Sequence, residues 1–375
     1  ARPCMVNCPK KAISIDRRAH INEDICINCG ICMQNCPYHA IIKIPVPCEE
    51  ACPVGAITKD ASGHESIDYD KCIFCGNCMR ECPFGAMMDK SQLVDVIKHI
   101  MDGSKKIVAM YAPSIAAQFR AVPGQLEAAL LKAGFDKVWE VAIGADICAT
   151  NEAHEFEERM ARGDKMMTTS CCSAYVRAVN IHVPALKECV SATRSPMHYT
   201  AEIAKKADPD CITVFVGPCL AKRREGFDDE LVDYVVSIEE IEALFIAKEI
   251  EVPKMDVAEE SIIPTASGRN FAKSGGVLEA VKLRLSDDSI LKPAKINGLN
   301  KAGMKTLNMY GMINSGKLKP PKDCPNLIEV MACEGGCIAG PSVITNVKTA
   351  EIQLEKYVES GAVNKIESRH EDTKH

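Results

Sequence analysis

Leu327-Ile-Glu-Val-Met331-Ala-Cys333-Glu-Gly-Gly-Cys337 is a short strand-like run that ends on two cysteines separated by a pair of glycines. Two other segments have the same layout: 165–169 leads into Thr169-Ser-Cys171-Cys172, and 211–216 leads into Gly217-Pro-Cys219-Leu-Ala-Lys222-Arg-Arg-Glu225. Each puts a soft thiol beside Gly, Pro or a polar residue where a strand is expected to stop. Apolar runs at 107–111, 137–143, 211–216, 234–237 and 327–331 read as strands, and 152–162, 238–248 and 276–285 carry helical spacing. The alternation predicts α/β lobes with mainly parallel sheets, whose sites gather at the carboxyl ends of strands. Cys172, Cys219, Cys333 and Cys337 then offer the four thiolates that one cubane iron–sulfur cluster requires. Cys171, Lys222, Glu225 and Met331 are left facing whatever that cluster carries.

The front of the chain is an internal repeat. A Cys-Pro-x-x-Ala-hydrophobic unit begins at Cys8, Cys36, Cys52 and Cys82, and each copy is preceded four residues earlier by Cys4, Cys32, Cys48 or Cys78. Two copies are complete: Cys26-x-x-Cys29-x-x-Cys32-x-x-x-Cys36-Pro and Cys72-x-x-Cys75-x-x-Cys78-x-x-x-Cys82-Pro. In the two-cluster ferredoxin arrangement the cysteine before Pro ligates the neighbouring cluster. One cluster is therefore expected on Cys26, Cys29, Cys32 and Cys8, and another on Cys72, Cys75, Cys78 and Cys52. Cys4, Cys36, Cys48 and Cys82 are left over. They share a third cluster, or belong to clusters whose other ligands lie upstream of Ala1, or are simply buried. The expected organisation is an α+β ferredoxin-like module over 1–46, a second over 47–90, and a catalytic region over 91–375.

Charge and composition narrow the function further. The chain has 375 residues and a formal net charge of −6, which gives no basic footprint for nucleic acid. No apolar run approaches the roughly 18–20 residues that span a bilayer. Twelve of the 21 cysteines fall within the first 82 residues at ferredoxin spacing, so metal ligation is a better reading than disulfides. That many thiolates point to a reducing, anaerobic cytoplasm. No signal peptide is visible, and the chain opens with a motif already in progress.

The three segments around Cys172, Cys219 and Cys333–Cys337 resemble the signature motifs of the FeFe hydrogenases, and the ferredoxin-like front extends the resemblance over nearly the whole chain. The resemblance implies that these four cysteines hold the cubane of an H-cluster lying between the two lobes. Cys337 would bridge to a two-iron subcluster bearing carbon monoxide, cyanide and a dithiolate with a bridgehead amine. It implies that Lys222 and Ser114 donate to the cyanides, and that Ala112, Pro113, Phe271 and Met331 form an apolar wall. Ser114 also reads as the N-cap of a following helix. Cys171 would pass protons between the amine and a relay of Glu152, Ser191, Glu155 and Arg159. Glu152, Glu155 and Arg159 share one helix face at i, i+3, i+7. Taken alone, such a face is usually a solvated ion-pair surface; its coincidence with Cys171 and Ser191 favours the relay. Glu225 reads as a structural or electrostatic partner near the second loop.

The resemblance implies reversible interconversion of dihydrogen with protons and electrons. A ferredoxin or other redox protein would be the partner, with at least two accessory 4Fe-4S clusters as the wire and maturation factors supplying the two-iron part. The chain departs from the prototypical motifs at Ser173 and Tyr175 (Pro-x-Trp), at Gly217 (Met), at Met197 (Gln) and at Ile338-Ala-Gly340-Pro341. These changes place it in a divergent branch. Cys148, Cys189, Cys211 and Cys324 read as buried small hydrophobes, and His182 and His198 as structural. Two alternatives belong to other classes: a non-catalytic hydrogenase-like iron–sulfur protein, and a dihydrogen sensor. A sensor needs an output domain, and only a short charged tail (367–375) closes the sequence.

Overall fold

The computed structural model describes residues 2–42, 46–258 and 262–360. The charged tail at 367–375 lies outside the described residues. Two parallel sheets organise the second part of the chain, as the alternation of apolar runs predicts. Two small antiparallel hairpins precede them: β1 (Ile13–Ile15) with β2 (Ala19–Ile21), and β3 (Ile57–Lys59) with β4 (Glu65–Ile67). The first large sheet is built from β5 (Ile107–Tyr111), β6 (Lys137–Glu140), β8 (Ile212–Val216) and β9 (Tyr234–Val236), in the order β6-β5-β8-β9. The second contains β7 (Met167–Thr168), β10 (Pro293–Asn297) and β11 (Leu327–Met331), in the order β10-β11-β7. Every residue of β5, β8 and β11 is buried, as strands covered by helices on both faces must be.

One expectation fails in an instructive way. The run 137–143 is not all strand: β6 stops at Glu140 and helix Ala142–Ala161 begins two residues later, ten residues before the helical pattern was read to start. Ala142, Ile143, Gly144, Ala145, Asp146, Cys148 and Ala149 are all buried, so the first half of this helix is covered on every side and shows no amphipathic period. Strand β10 also went unread, because Pro293-Ala-Lys-Ile-Asn297 is an edge strand with only Ile296 buried.

The four repeat units are four copies of one backbone device. In each, the Ala N–H donates to the sulfur of the cysteine that opens the unit: Ala12 to Cys8 at 3.3 Å, Ala40 to Cys36 at 3.4 Å, Ala56 to Cys52 at 3.2 Å and Ala86 to Cys82 at 3.3 Å. The turn that aims this N–H needs a left-handed residue just before the Ala. Gly55 (φ 62°) and Gly85 (φ 61°) supply it in the second module, whereas Lys11 (φ 53°) and His39 (φ 50°) adopt it in the first. A side chain there costs energy that glycine does not. The hairpin modules also differ in anchorage. Ile73 of the second is 1 % exposed and packs into a core with Tyr175, Ala221 and Val330, while the matching Ile27 of the first stands 56 % exposed.

A buried polar network ties the first large sheet to the helices around it. Arg269 is 0 % exposed and donates to the Glu140 carboxylate at 2.7 Å and 3.0 Å, while its guanidinium stacks on Tyr357 of the last described helix, Val347–Ser360. The Tyr357 hydroxyl meets that of Tyr111 at 3.1 Å, and Tyr111 donates to Glu127. Removing one partner of a buried ion pair leaves the other charge stranded. Glu140→Ala should therefore destabilise the fold by about 3–5 kcal/mol, read by chemical denaturation. Lys11→Gly and His39→Gly should each stabilise the first module by about 1 kcal/mol, read by its thermal midpoint.

Candidate iron–sulfur site

Four strand ends, two neighbours from each sheet, converge on one place. β5 leads into Ala112-Pro113-Ser114, β8 into Pro218 and Cys219, β7 into Cys171 and Cys172, and β11 into Ala332 and Cys333. One cavity lies between them, and Cys172, Cys219, Cys333 and Cys337 all line it. Cys171, Lys222, Ala112, Pro113, Ser114, Phe271 and Met331 line it too, so most of the positions singled out for a cofactor share a single chamber. Ser173, Met197 and Cys75, which were not singled out for it, also reach this chamber.

Electrostatics say what the chamber suits. Burial pushes the Cys219 thiol up to about 11 and that of Cys337 up to about 12, and holds Cys172 and Cys333 high as well. The charges compound the effect: negative Cys172 and Cys219 raise both Cys333 and Cys337. Opposing features favour thiolates. Cys172 stands at the start of helix Ser173–His182 and Cys219 at the start of Leu220–Asp228, where backbone N–H groups of the first turn favour their charge. Four thiolates in an apolar chamber need a cationic core to neutralise them, and the donor set fits an iron–sulfur cubane. Among the described residues no three His, Cys, Asp or Glu side chains close on a single metal ion. A cubane does not require that, since each of its irons takes one thiolate.

The polar groups on the chamber wall fall into two sets. Ser114 is the first residue of helix Ser114–Phe119; its buried hydroxyl makes no capping bond and has no hydrogen-bond partner, so the N-cap reading is not what the structure has. Lys222 Nζ donates to Glu225 Oε2 at 2.7 Å. Burial opposes the Lys222 charge, but Glu225 lifts its pKa above the ordinary value. Glu225 in turn resists burial through Lys222 and through the hydroxyls of Ser173 and Ser195, which both donate to it. The reading of Glu225 as an electrostatic partner therefore has a specific geometry, with two serines the sequence did not flag as its partners.

Behind Cys171 the acids of helix Ala142–Ala161 line up as their spacing implies, but their hydrogen bonds differ from the expected order. Glu152 is 0 % exposed; its Oε1 accepts from Ser170 N at 2.9 Å and Oγ at 3.3 Å, not from Ser191, and its Oε2 has no hydrogen-bond partner. Burial, with smaller contributions from Glu155 and Glu329, pushes the Glu152 carboxyl up to about 7. Ser191 Oγ donates to Glu155 Oε2 at 2.6 Å, and Arg159 holds Glu155 Oε1 at 2.6 Å. Thr193 joins the halves: its carbonyl accepts from Ser170, its N–H donates to Ser191, and its hydroxyl donates to Glu155. Arg159 does not reach solvent as the terminus of a chain. Its side chain is 8 % exposed against 18 % for Glu155, and it is tied to the carbonyls of Glu188 and Val190. Cys148, read as inert, lies close enough to Cys171 and Glu152 that their charges influence one another.

The second ferredoxin-like module reaches this chamber directly. Cys52 lies close enough to Cys72, Cys75 and Cys78 to raise all three, and burial pushes Cys75 up to about 12. Arg177, one turn past Cys172, donates to the carbonyls of Cys72 and Tyr69 and stacks on Phe74.

Comparisons with known proteins agree with this construction. Residues 105–341 match the description "Iron only hydrogenase large subunit, C-terminal domain", and residues 19–42 and 65–88 each match a 4Fe-4S binding domain. The chain is 29 % identical to the "Periplasmic [Fe] hydrogenase large subunit" of Nitratidesulfovibrio vulgaris, covering 85 % of each. It is 26 % identical to "Iron hydrogenase 1" of Clostridium pasteurianum over 68 % of this chain, spanning only 53 % of that protein's length. It is also 24 % identical to the "Cytosolic Fe-S cluster assembly factor NAR1" of Yarrowia lipolytica, over 68 % of this chain and 70 % of that one. The solved [FeFe]-hydrogenase HydA1 of Chlamydomonas reinhardtii shares the fold at a TM-score of 0.56 and 17 % identity, over 71 % of this chain and 88 % of that one. With its three cysteine loops on the ends of parallel strands and a family match over most of its length, the chain belongs to the iron-only hydrogenase large-subunit family.

Proposed function

We propose that this protein is an FeFe hydrogenase that interconverts dihydrogen with two protons and two electrons, exchanging the electrons with a ferredoxin or similar redox protein. The observation that carries the reading is the shared chamber: the four cysteines, Cys171, Lys222 and Ser114 all line one apolar cavity. Cys172, Cys219, Cys333 and Cys337 would hold the cubane of an H-cluster, and Cys337 would join it to the two-iron part inserted by maturation factors. When bound, that group would take up two electrons as the H–H bond is cleaved and give two back as it forms. Ala112, Pro113, Phe271 and Met331 exclude water, which strengthens every charge and hydrogen bond inside. Ser114 Oγ, buried without a partner, and Lys222 Nζ, held by Glu225, are the donors that orient the anionic ligands of the group.

Proton traffic is the task of the other wall. Cys171 carries a proton on its sulfur, since burial and the nearby Glu152 keep the thiol protonated. Glu152 exchanges with it, because a carboxyl near 7 both holds and releases a proton at neutral pH. The hydroxyls of Ser191 and Thr193 hold Glu155, the end of the path that reaches water, and Arg159 positions it; the Thr193 peptide ties this end to Ser170 without itself carrying a proton. Electrons travel through 4Fe-4S clusters on Cys52, Cys72, Cys75 and Cys78 and on Cys8, Cys26, Cys29 and Cys32. Cys36 and Cys82 have the same backbone N–H on sulfur as Cys8 and Cys52, which favours a ligand role for them, with Cys4 and Cys48 as companions. The abundance of thiolates fits an anaerobic cytoplasm, and no helix among the described residues is long and apolar enough to cross a membrane. The domain organisation is two ferredoxin-like modules, 1–46 and 47–90, feeding a catalytic region from 91.

The matured protein should show carbonyl and cyanide bands in the infrared, and Cys171→Ala should keep its iron and those bands while losing at least about 100-fold in turnover. Iron without such bands would move the reading to a non-catalytic iron–sulfur protein of the assembly-factor kind or to a sensor; undiminished turnover in the variant would remove Cys171 from the proton path. A second expectation concerns pH. Because folding raises the Glu152 carboxyl from 4.5 to about 7, the folded state keeps a proton that the unfolded chain releases across that window. Stability should fall as pH rises through it and level off above it. Glu152→Gln should therefore gain stability relative to the parent between those limits, read as the pH dependence of the thermal midpoint. Parallel curves would show that Glu152 does not titrate there.

A further inference from the structure

In the loop Cys72-Ile-Phe-Cys75-Gly76-Asn-Cys78 the glycine packs directly against the chamber loops. Gly76 has φ 76° and starts helix Asn77–Arg80. A Cβ on it would stand 2.4 Å from Pro341 Cβ and 2.9 Å from Leu220 Cδ1. Leu220 follows Cys219, and Pro341 lies four residues beyond Cys337. The contact is thus one residue from Cys75 on one side and one residue from Cys219 on the other. The receiving loops are themselves locked together, since a Cβ on Gly340 would lie 2.6 Å from the Pro218 carbonyl. Nothing on that side can retreat cheaply.

The first module supplies an internal control. Gly30 occupies the matching position in Cys26-Ile-Asn-Cys29-Gly30-Ile-Cys32, with the same φ of 76°, and starts helix Ile31–Gln34. A Cβ there would meet nothing within 4 Å. Two glycines in the same backbone conformation therefore differ in one respect only, the presence of a wall. Backbone demand explains glycine at both positions; close approach is the added constraint at Gly76.

We propose that Gly76 is a positioning residue: its missing side chain sets the gap between the cluster on Cys52, Cys72, Cys75 and Cys78 and the cluster in the chamber, and so sets the rate of electron passage between them. The inference rests on the iron–sulfur part of the proposed function. Electron transfer falls exponentially with the gap, so a wedge that leaves both clusters intact still slows the wire. Arg177 and the Arg223–Asp89 ion pair hold the module from other sides, so the wedge opens the contact at Gly76 without releasing the module.

The test uses the intact matured protein as parent, Gly76→Ala, Gly30→Ala, and Gly76→Ala combined with Pro341→Gly, which removes the Cβ and Cγ that the new Cβ would meet. Three quantities are read: iron content, magnetic interaction between the reduced clusters by electron paramagnetic resonance, and dihydrogen evolution from reduced ferredoxin alongside dihydrogen–deuterium exchange. Exchange needs no net electron flow. Gly76→Ala should keep its iron and its exchange rate, lose cluster–cluster magnetic interaction and slow ferredoxin-driven evolution several-fold. Gly30→Ala should match the parent, and Pro341→Gly should restore the Gly76→Ala protein. Equal slowing in both glycine variants, unchanged magnetic interaction in Gly76→Ala, or no rescue by Pro341→Gly would overturn the proposal. A parent without isotope exchange would count against the hydrogenase reading instead, and the magnetic measurement would still decide the role of Gly76.

Discussion

Four like charges in one dry chamber are the constraint from which the rest of this architecture follows. Each thiolate at Cys172, Cys219, Cys333 and Cys337 pays for burial, and Cys333 and Cys337 also feel the negative charge of the other two. A fold that tolerates this must bring compensating positive ends to the same point. Parallel strand–loop–helix units do so by construction, because the helix after each strand starts where the strand stops. Cys172 and Cys219 sit at two such helix starts, and Lys222 adds a full charge from the second helix. Lys222 would itself be costly in that setting without Glu225, and Glu225 without Ser173 and Ser195. The polar residues around the chamber form one chain of mutual compensation that begins at the sulfurs.

Much of this was legible in the sequence, for a physical reason. β5 and β11 begin and end where their apolar runs do, since strands buried on both faces have no polar alternation to blur them. The cysteine loops were placed correctly because a strand end and a thiol motif coincide in each. Helix Ala142–Ala161 was misread at its start, since a helix buried on all sides looks like a strand over a short window. Ser170, Thr193 and Ser195 were missed because nothing local marks them, and Ser173 stood out only as a departure from the motif, not as a partner of Glu225. Ser170 reaches Glu152 across 18 residues and Ser173 reaches Glu225 across 52, and hydroxyls are too common for spacing alone to single them out.

The two ferredoxin-like modules show how one sequence motif serves two mechanical roles. Both close their Cys-Pro-x-x-Ala units with the same N–H to sulfur bond. The second module adds Ile73 and Phe74 to the core of the catalytic region and takes glycine just before the Ala of each unit. The first leaves Ile27, the counterpart of Ile73, exposed and carries the same turns on Lys11 and His39. One module is thus built into the catalytic body, and the other keeps the corresponding side chain outside that core.

The pairing of Tyr111 with Tyr357 spans 246 residues of chain. A ribosome delivers the first of these tyrosines, together with Glu140 and Arg269, well before the helix that covers them. Until that helix arrives, the Arg269 guanidinium lacks its aromatic lid, and Ile338, next to Cys337, lacks its Ala350 and Leu354 neighbours. The nascent protein therefore assembles its cysteine loops under an unfinished roof. Helix Val347–Ser360 acts as the closure that commits the fold.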